Sequence, residues 1–213
     1  MRLWGFLTLL APLVSSSQIS WLSRPAVSST TLVDALSADA DYTSLIRLLQ
    51  RARLIPTLNR LNGSTLFAPT NDAIERHSSL NPLWKAALNN DQFFLNDNVR
   101  EKLRQELFYH LLNYSLPEPP PEPHLQVLET LHFPQFLSDQ PSTDPPPWIP
   151  EPGGTLGGEP QRLRLRSQDG GIWVGVDGNG NGGAEVVKEL VDAGNGVLLG
   201  ISDVLTVPPD LGQ

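Results

Sequence analysis

Apolar residues recur at three- and four-residue intervals through the first half of the chain and at two-residue intervals through its last third. The first such segment, "SSTTLVDALS", sets Ser/Thr caps ahead of Leu32, Val33, Ala35 and Leu36, which predicts a short helix. "DYTSLIRLLQRARL" follows, with Leu45, Ile46, Leu48, Leu49 and Ala52 at helical spacing. Pro56 opens a turn in "PTLNRL", and "PLWKAAL", 82–88, predicts another short helix. The longest helix is expected from about Asn98 to Asn113. Val99, Leu103, Leu107, His110 and Leu111 fall on one stripe, and Arg, Lys and Glu occupy the other face.

The period then changes. "RLRLRS" (162–167) alternates basic and apolar residues, the pattern of a half-buried strand. "GIWVGV" (171–176) predicts a second strand. "AEVVKELVDA" (184–193) fits either a third strand or a short helix. "GVLLGISDVL" (196–205) closes the domain ahead of Pro208-Pro209. Helices followed by strands argue for an α+β fold, and the lack of an internal repeat argues for one domain.

Between the two halves the composition shifts. Thirteen of the 20 prolines lie between Pro117 and Pro160, a density that excludes a helix or a sheet interior there. "HLQVLETLHF", 124–133, still reads as a strand pair or a strand and turn. Residues 134–160 read as a long surface insertion. A polyproline spacer is the better reading than a docking motif, because no basic anchor flanks the prolines.

A strand-to-helix switch is written in "NGSTLFAPTNDAI", 62–74. Leu66-Phe67-Ala68 makes a buried strand, and Pro69 ends it without needing a ladder donor. Thr70 or Asn71 caps the next helix, with Asp72 and Glu75 in its first turn, where the helix dipole favours carboxylates.

The N-terminus stands outside this pattern. Met1-Arg2 precedes an apolar run from Leu3 to Val14, with no polar face, and Ser15, Ser16 and Ser17 follow. That is the length and order of a signal peptide, 1–17, rather than of a buried helix or a membrane span. A leader of residues 18–28 comes next, then the domain, 29–209, and a tail, 210–213. No later segment is long and apolar enough to cross a membrane, and "VPPDLGQ" lacks the apolar tail of a lipid-anchor signal. A secreted chain is expected. The sequons at Asn62 and Asn113 then become candidate glycosylation sites.

Composition narrows the chemistry. The charge is −8, or −9 once Arg2 is lost, and there is no basic stripe of the kind nucleic acids or anionic membranes need. The absence of cysteine excludes disulfides, zinc–thiolate sites and a cysteine nucleophile.

"STLFAPTNDAI" closely resembles the first signature of the fasciclin-like adhesion domain. Tyr109-His110 looks like that family's Tyr-His pair. "GNGVLLGISDVLTVPP", 194–209, with Asn195 and Gly196, is similar to its second signature. "GGAEVVKELVDA" fits the strand pair leading into it. The resemblance spans about residues 29 to 209. Two departures stand out: Leu199-Gly200-Ile201 replaces the histidine usual in the second signature, and the proline-rich insertion exceeds the family's usual connection. The resemblance implies a β-wedge or sandwich with helices packed on it. It also implies an extracellular, non-catalytic role of contact with a protein or glycan partner on a cell surface, cell wall or matrix. It makes Asp203-Val204 a weak candidate partner contact. The better reading has Asp203 capping a turn and Val204 and Leu205 in the core. The resemblance implies no cofactor.

Two sites for chemistry are weighed on the residues. His110, on an apolar stripe, is expected to be a core histidine hydrogen-bonded to the strand-to-helix switch; the alternatives to the contact role are a secreted hydrolase built on His110 and a structural spacer domain of a longer multi-domain adhesion protein. His77, His124 and His132 show no metal-ligand spacing and read as surface residues. "DGNGNGGAEVVKE" places Asp177, Asn179, Asn181 and Gly182 as in a calcium loop. Lys188 stands where a bidentate Glu is needed, and the incoming segment is strand-like, so a glycine/asparagine hairpin is preferred. No phosphate-binding loop or nucleophile elbow occurs.

Overall fold

A computed structural model describes residues 30–89, 96–116, 125–132, 160–177 and 182–206. The signal segment, the leader, the proline-rich insertion apart from Pro160, and the C-terminal tail lie outside them.

Among the described residues six α-helices lie in the first half of the chain: α1 (Leu32–Ala38), α2 (Thr43–Arg51), α3 (Ile55–Arg60), α4 (Asn71–Leu80), α5 (Pro82–Leu88) and α6 (Asp97–Phe108). Local chemistry sets their ends. Thr31 caps α1 in a reciprocal capping box with Asp34. Thr70 caps α4 by accepting from the Ala73 N–H. Asn81 ends α4 and starts α5, accepting from the Leu83 N–H just ahead of Pro82 in the first turn. "PTLNRL" is helical rather than a simple turn, because Pro56 sits in the first turn of α3, where its missing N–H costs nothing.

Seven strands are described: β1 (Ser64–Pro69), β2 (Leu111–Leu112), β3 (Leu125–Glu129), β4 (Arg162–Gln168), β5 (Gly171–Val174), β6 (Ala184–Ala193) and β7 (Gly196–Ile201). Their order is β2-β1-β7-β6-β5-β4-β3. Only β1 and β7 run parallel, with Leu66 opposite Leu198 and Phe67 opposite Leu199. Every residue of both strands is buried, as expected for a parallel pair covered on two faces. β6 joins the two halves of the sheet. Its first residues pair with β5, the rest pair with β7, and register shifts between Val186 and Val191 mark bulges that re-aim the strand.

Two cores result. Leu66, Ala68 and Leu198 face the helices and pack with Leu45, Leu48, Leu49, Trp84, Leu103 and Phe108. Phe67, Val197, Leu199 and Ile201 point the other way, onto Leu163, Leu165, Ile172 and Val174 from β4 and β5. The fold is thus helices on a sheet that folds back on itself, the expected α+β wedge.

The structure corrects two local expectations and decides two that the residues left open. The long helix ends at Phe108, because Leu111 and Leu112 pair with Leu66 and Thr65 as an edge strand. Residues 184–193 are a strand, consistent with their β-branched valines. "HLQVLETLHF" contributes one strand, not two, among the described residues. His132 is buried rather than on the surface, and His77 is half-buried; His124 lies outside the described residues.

Candidate functional site

The three motif stretches meet around His110. It follows the end of α6 and is 1% exposed. Its carbonyl accepts from the Phe67 N–H at 2.9 Å, which ties it to the strand-to-helix switch. Its ring bonds elsewhere than expected. Nε2 accepts from the Leu205 N–H at 3.0 Å, and Nδ1 lies 3.1 Å from the Glu106 carbonyl. A carbonyl facing Nδ1 and an N–H facing Nε2 define the neutral Nδ1–H tautomer. Burial holds the pKa down at about 4.

Its neighbour Tyr109 donates its hydroxyl to the Arg162 carbonyl at 3.3 Å, linking α6 to β4. Asn195 spans helices and sheet: Oδ1 accepts from the Leu32 N–H and Nδ2 donates to the Leu58 carbonyl, both at 2.8 Å. Asn71 does the same for the first helices, accepting from the Ser44 N–H and donating to the Ala40 carbonyl. Gly196 lets β7 lie against β1; a Cβ there would come 2.4 Å from the Ser64 carbonyl oxygen. Asp72 sits in the first turn of α4 and is exposed. Asp203 is exposed and accepts from the Val204 N–H, while Val204 and Leu205 are buried.

A sequence profile described as "Fasciclin domain" matches residues 40–135. These residues carry a fasciclin domain. It is 34% identical over 96 residues to fasciclin-like arabinogalactan protein 16 of Arabidopsis thaliana, a stretch that is 44% of this chain and 20% of that protein. It is 32% identical to fasciclin-like arabinogalactan protein 15 of the same plant, with the same coverage. The match thus spans about a fifth of the length of these curated relatives. Among solved structures, a FAS1 domain pair from the insect cell adhesion molecule Fasciclin I superposes with a TM-score of 0.55 at 13% identity. The superposition covers 84% of this chain and 51% of that one.

Within this fasciclin domain a second polar group was not visible from the motifs. Glu106 on α6 accepts from the Trp84 indole N–H and from Asn81 Nδ2. Asn81 Nδ2 also lies 3.1 Å from His77 Nε2, and the His77 and Trp84 rings meet edge to face at 4.8 Å. Burial raises the Glu106 pKa, and it lowers that of His77. The available signal was positional: Glu106 falls three residues after Leu103 and four before His110, on the buried stripe of α6.

A cleft of about 380 Å³ opens beside the start of α4, lined by Asp41, Thr70, Asn71, Arg76, Val187 and Lys188 among others. Its lysine is engaged: Lys188 bonds Asp39 at 2.5 Å and Asp41 at 2.6 Å, and both partners raise its pKa. Lys188 also lies in β6, so the calcium-loop spacing leads into a strand rather than a helix. Asn179 and Asn181 lie outside the described residues. Among those described, no group of three potential metal ligands occurs, and His110 has only backbone hydrogen-bond partners. Asn62 and Asn113 are both exposed. The two sequons adjoin across the β1–β2 pair, where Ser115 Oγ donates to the Gly63 carbonyl at 3.3 Å.

Proposed function

We propose that this chain is an extracellular interaction module that binds a cell-surface, cell-wall or matrix partner by surface contact, without catalysis. The observation that carries this is the fasciclin domain itself, with its motif residues spent on holding helices to sheet. The solved neighbour is described as an insect cell adhesion molecule, and the apolar start of the chain supports secretion. The domain runs over residues 29–209, and Asn62 and Asn113 carry glycans. The hydrolase alternative loses ground because His110 is enclosed and its ring is saturated by backbone groups. The test is secretion followed by fractionation: the tagged full chain is expressed in a secreting host and offered to wall, matrix and membrane fractions. Recovery in the medium with retention by at least one fraction is expected. Retention by none of them overturns the proposal.

A further inference from the structure

We propose that the outward face of β3, β4 and β5 is the contact surface of this module, and that its occupant is an acidic polysaccharide; the inference rests on the interaction-module reading and names the chemistry of the partner. Every outward position of β4 up to Arg166 is arginine: Arg162, Arg164 and Arg166, alternating with Leu163 and Leu165, which are buried. Alternate strand residues stand on one side roughly 7 Å apart, so the guanidinium groups form a row about 13 Å long. These three of the 15 basic residues form a short local row that the overall charge of −8 conceals, and they correct the expectation of no basic stripe. Chance alternation would place mixed polar residues there.

The strands on either side set apolar and aromatic side chains beside the row, with one carboxylate, Glu129, on Arg162. The register sets Arg166 between Leu125 and Trp173, and Arg164 beside Val127. Val127 is 55% exposed and Leu125 is 38% exposed. Glu129 lies 3.6 Å from Arg162, but both side chains are more than half exposed, so this ion pair yields easily to a competing carboxylate. Trp173 presents a half-buried indole next to Arg166, and Glu185 stands beyond it. Guanidinium forks match carboxylates in a bidentate way, and an indole face packs against the C–H face of a sugar ring. Cations with a flat aromatic surface suit a chain of anionic sugars better than either a neutral glycan or an apolar protein patch.

A further feature favours this face. At physiological ionic strength the screening length is about 8 Å. A bound polyanion then responds to the arginine row and not to the net negative charge of the whole molecule.

The experiment measures binding of the secreted full chain to immobilised polygalacturonate, a neutral glucan and polyglutamate, with Arg162→Gln/Arg164→Gln/Arg166→Gln and Trp173→Ala variants. A control, Arg47→Gln/Arg60→Gln/Lys85→Gln, makes the same charge change on exposed helical positions. Expected is binding to polygalacturonate over both other polymers, weakened on the order of tenfold by the β4 triple variant and unchanged by the control. Trp173→Ala is expected to weaken binding while leaving its salt dependence intact. Equal losses in the two triple variants, or no polygalacturonate binding by a chain that wall or matrix fractions retain, overturn this proposal and leave the module reading standing. Preference for polyglutamate overturns it in favour of an acidic peptide partner.

Discussion

The sharpest test of the fold's construction is the acid response of His110. The neutral ring receives the Leu205 N–H on Nε2 and faces the Glu106 carbonyl with Nδ1. A proton added to Nε2 would point at the Leu205 N–H, and neither ring nitrogen has a carboxylate partner to compensate. In the unfolded chain the ring titrates near 6.5; in the fold it titrates near 4. The unfolded state therefore binds the proton first. The contribution of this group is fully present above pH 6.5 and is lost as pH falls toward 4. At about 1.4 kcal/mol per pH unit, the loss across that window is about 3 kcal/mol. For a chain of this size that is roughly 6–12 °C in melting temperature.

His77 and His132 have pKa values lowered by burial and push in the same direction, while Glu106, raised by burial, opposes them. Comparison with His110→Gln separates the contributions. Glutamine supplies one acceptor and one donor and does not titrate. Denaturant unfolding of both proteins between pH 7.5 and 4.5 is expected to show the wild type losing at least about 2 kcal/mol more than the variant. Parallel pH curves would refute the reasoning, because they would mean that His110 is charged, or solvated, inside the fold.

Two other outcomes are expected. Gly200→Ala places a Cβ 2.3 Å from the Tyr42 hydroxyl oxygen and 2.8 Å from Lys188 Cβ, both held by packing; it should cost about 1–3 kcal/mol in denaturant unfolding, and an unchanged midpoint would contradict the close approach. Asn62→Gln and Asn113→Gln should each remove one glycosidase-sensitive step of electrophoretic mobility from the secreted chain, and no shift for either would withdraw that sequon.

Much of the helical layer was legible because its signals are local. Thr31 with Asp34, and Thr70 ahead of Ala73, announce helix starts within four residues of sequence. The buried strand in "STLFAP" was legible because consecutive apolar residues ended by proline leave few alternatives. The helix end at Phe108 was not, because the stripe continues at helical spacing through Leu111. What stops it is non-local: β1 offers an edge, and Leu111 and Leu112 pair with Leu66 and Thr65. "AEVVKELVDA" carried both periods, and pairing on its two sides decided for the strand. Burial of His132 rests on the turn after β3 meeting β4, where the Gln161 N–H bonds its carbonyl. That contact crosses the whole proline-rich insertion.

The motif residues make the complementary point. Asn195 bonds residues 163 and 137 positions away, and His110 bonds one 95 positions away. Such bonds explain why a few polar residues identify the fold: each satisfies backbone groups that two distant elements leave open, and an apolar replacement would leave them unpaired in the core. A polar atom used in this way is not offered to a partner. Binding specificity must then come from side chains whose polar atoms face outward. In this molecule the outward faces of β3, β4 and β5 place arginines and an indole on a rigid sheet, where ordering them for contact costs less entropy than on a loop. The same strand, β4, sends Leu163 and Leu165 into the core, so the row is fixed in register by the packing behind it. Its reach and spacing are consequences of the fold, and its charge is what the proposed contact would use.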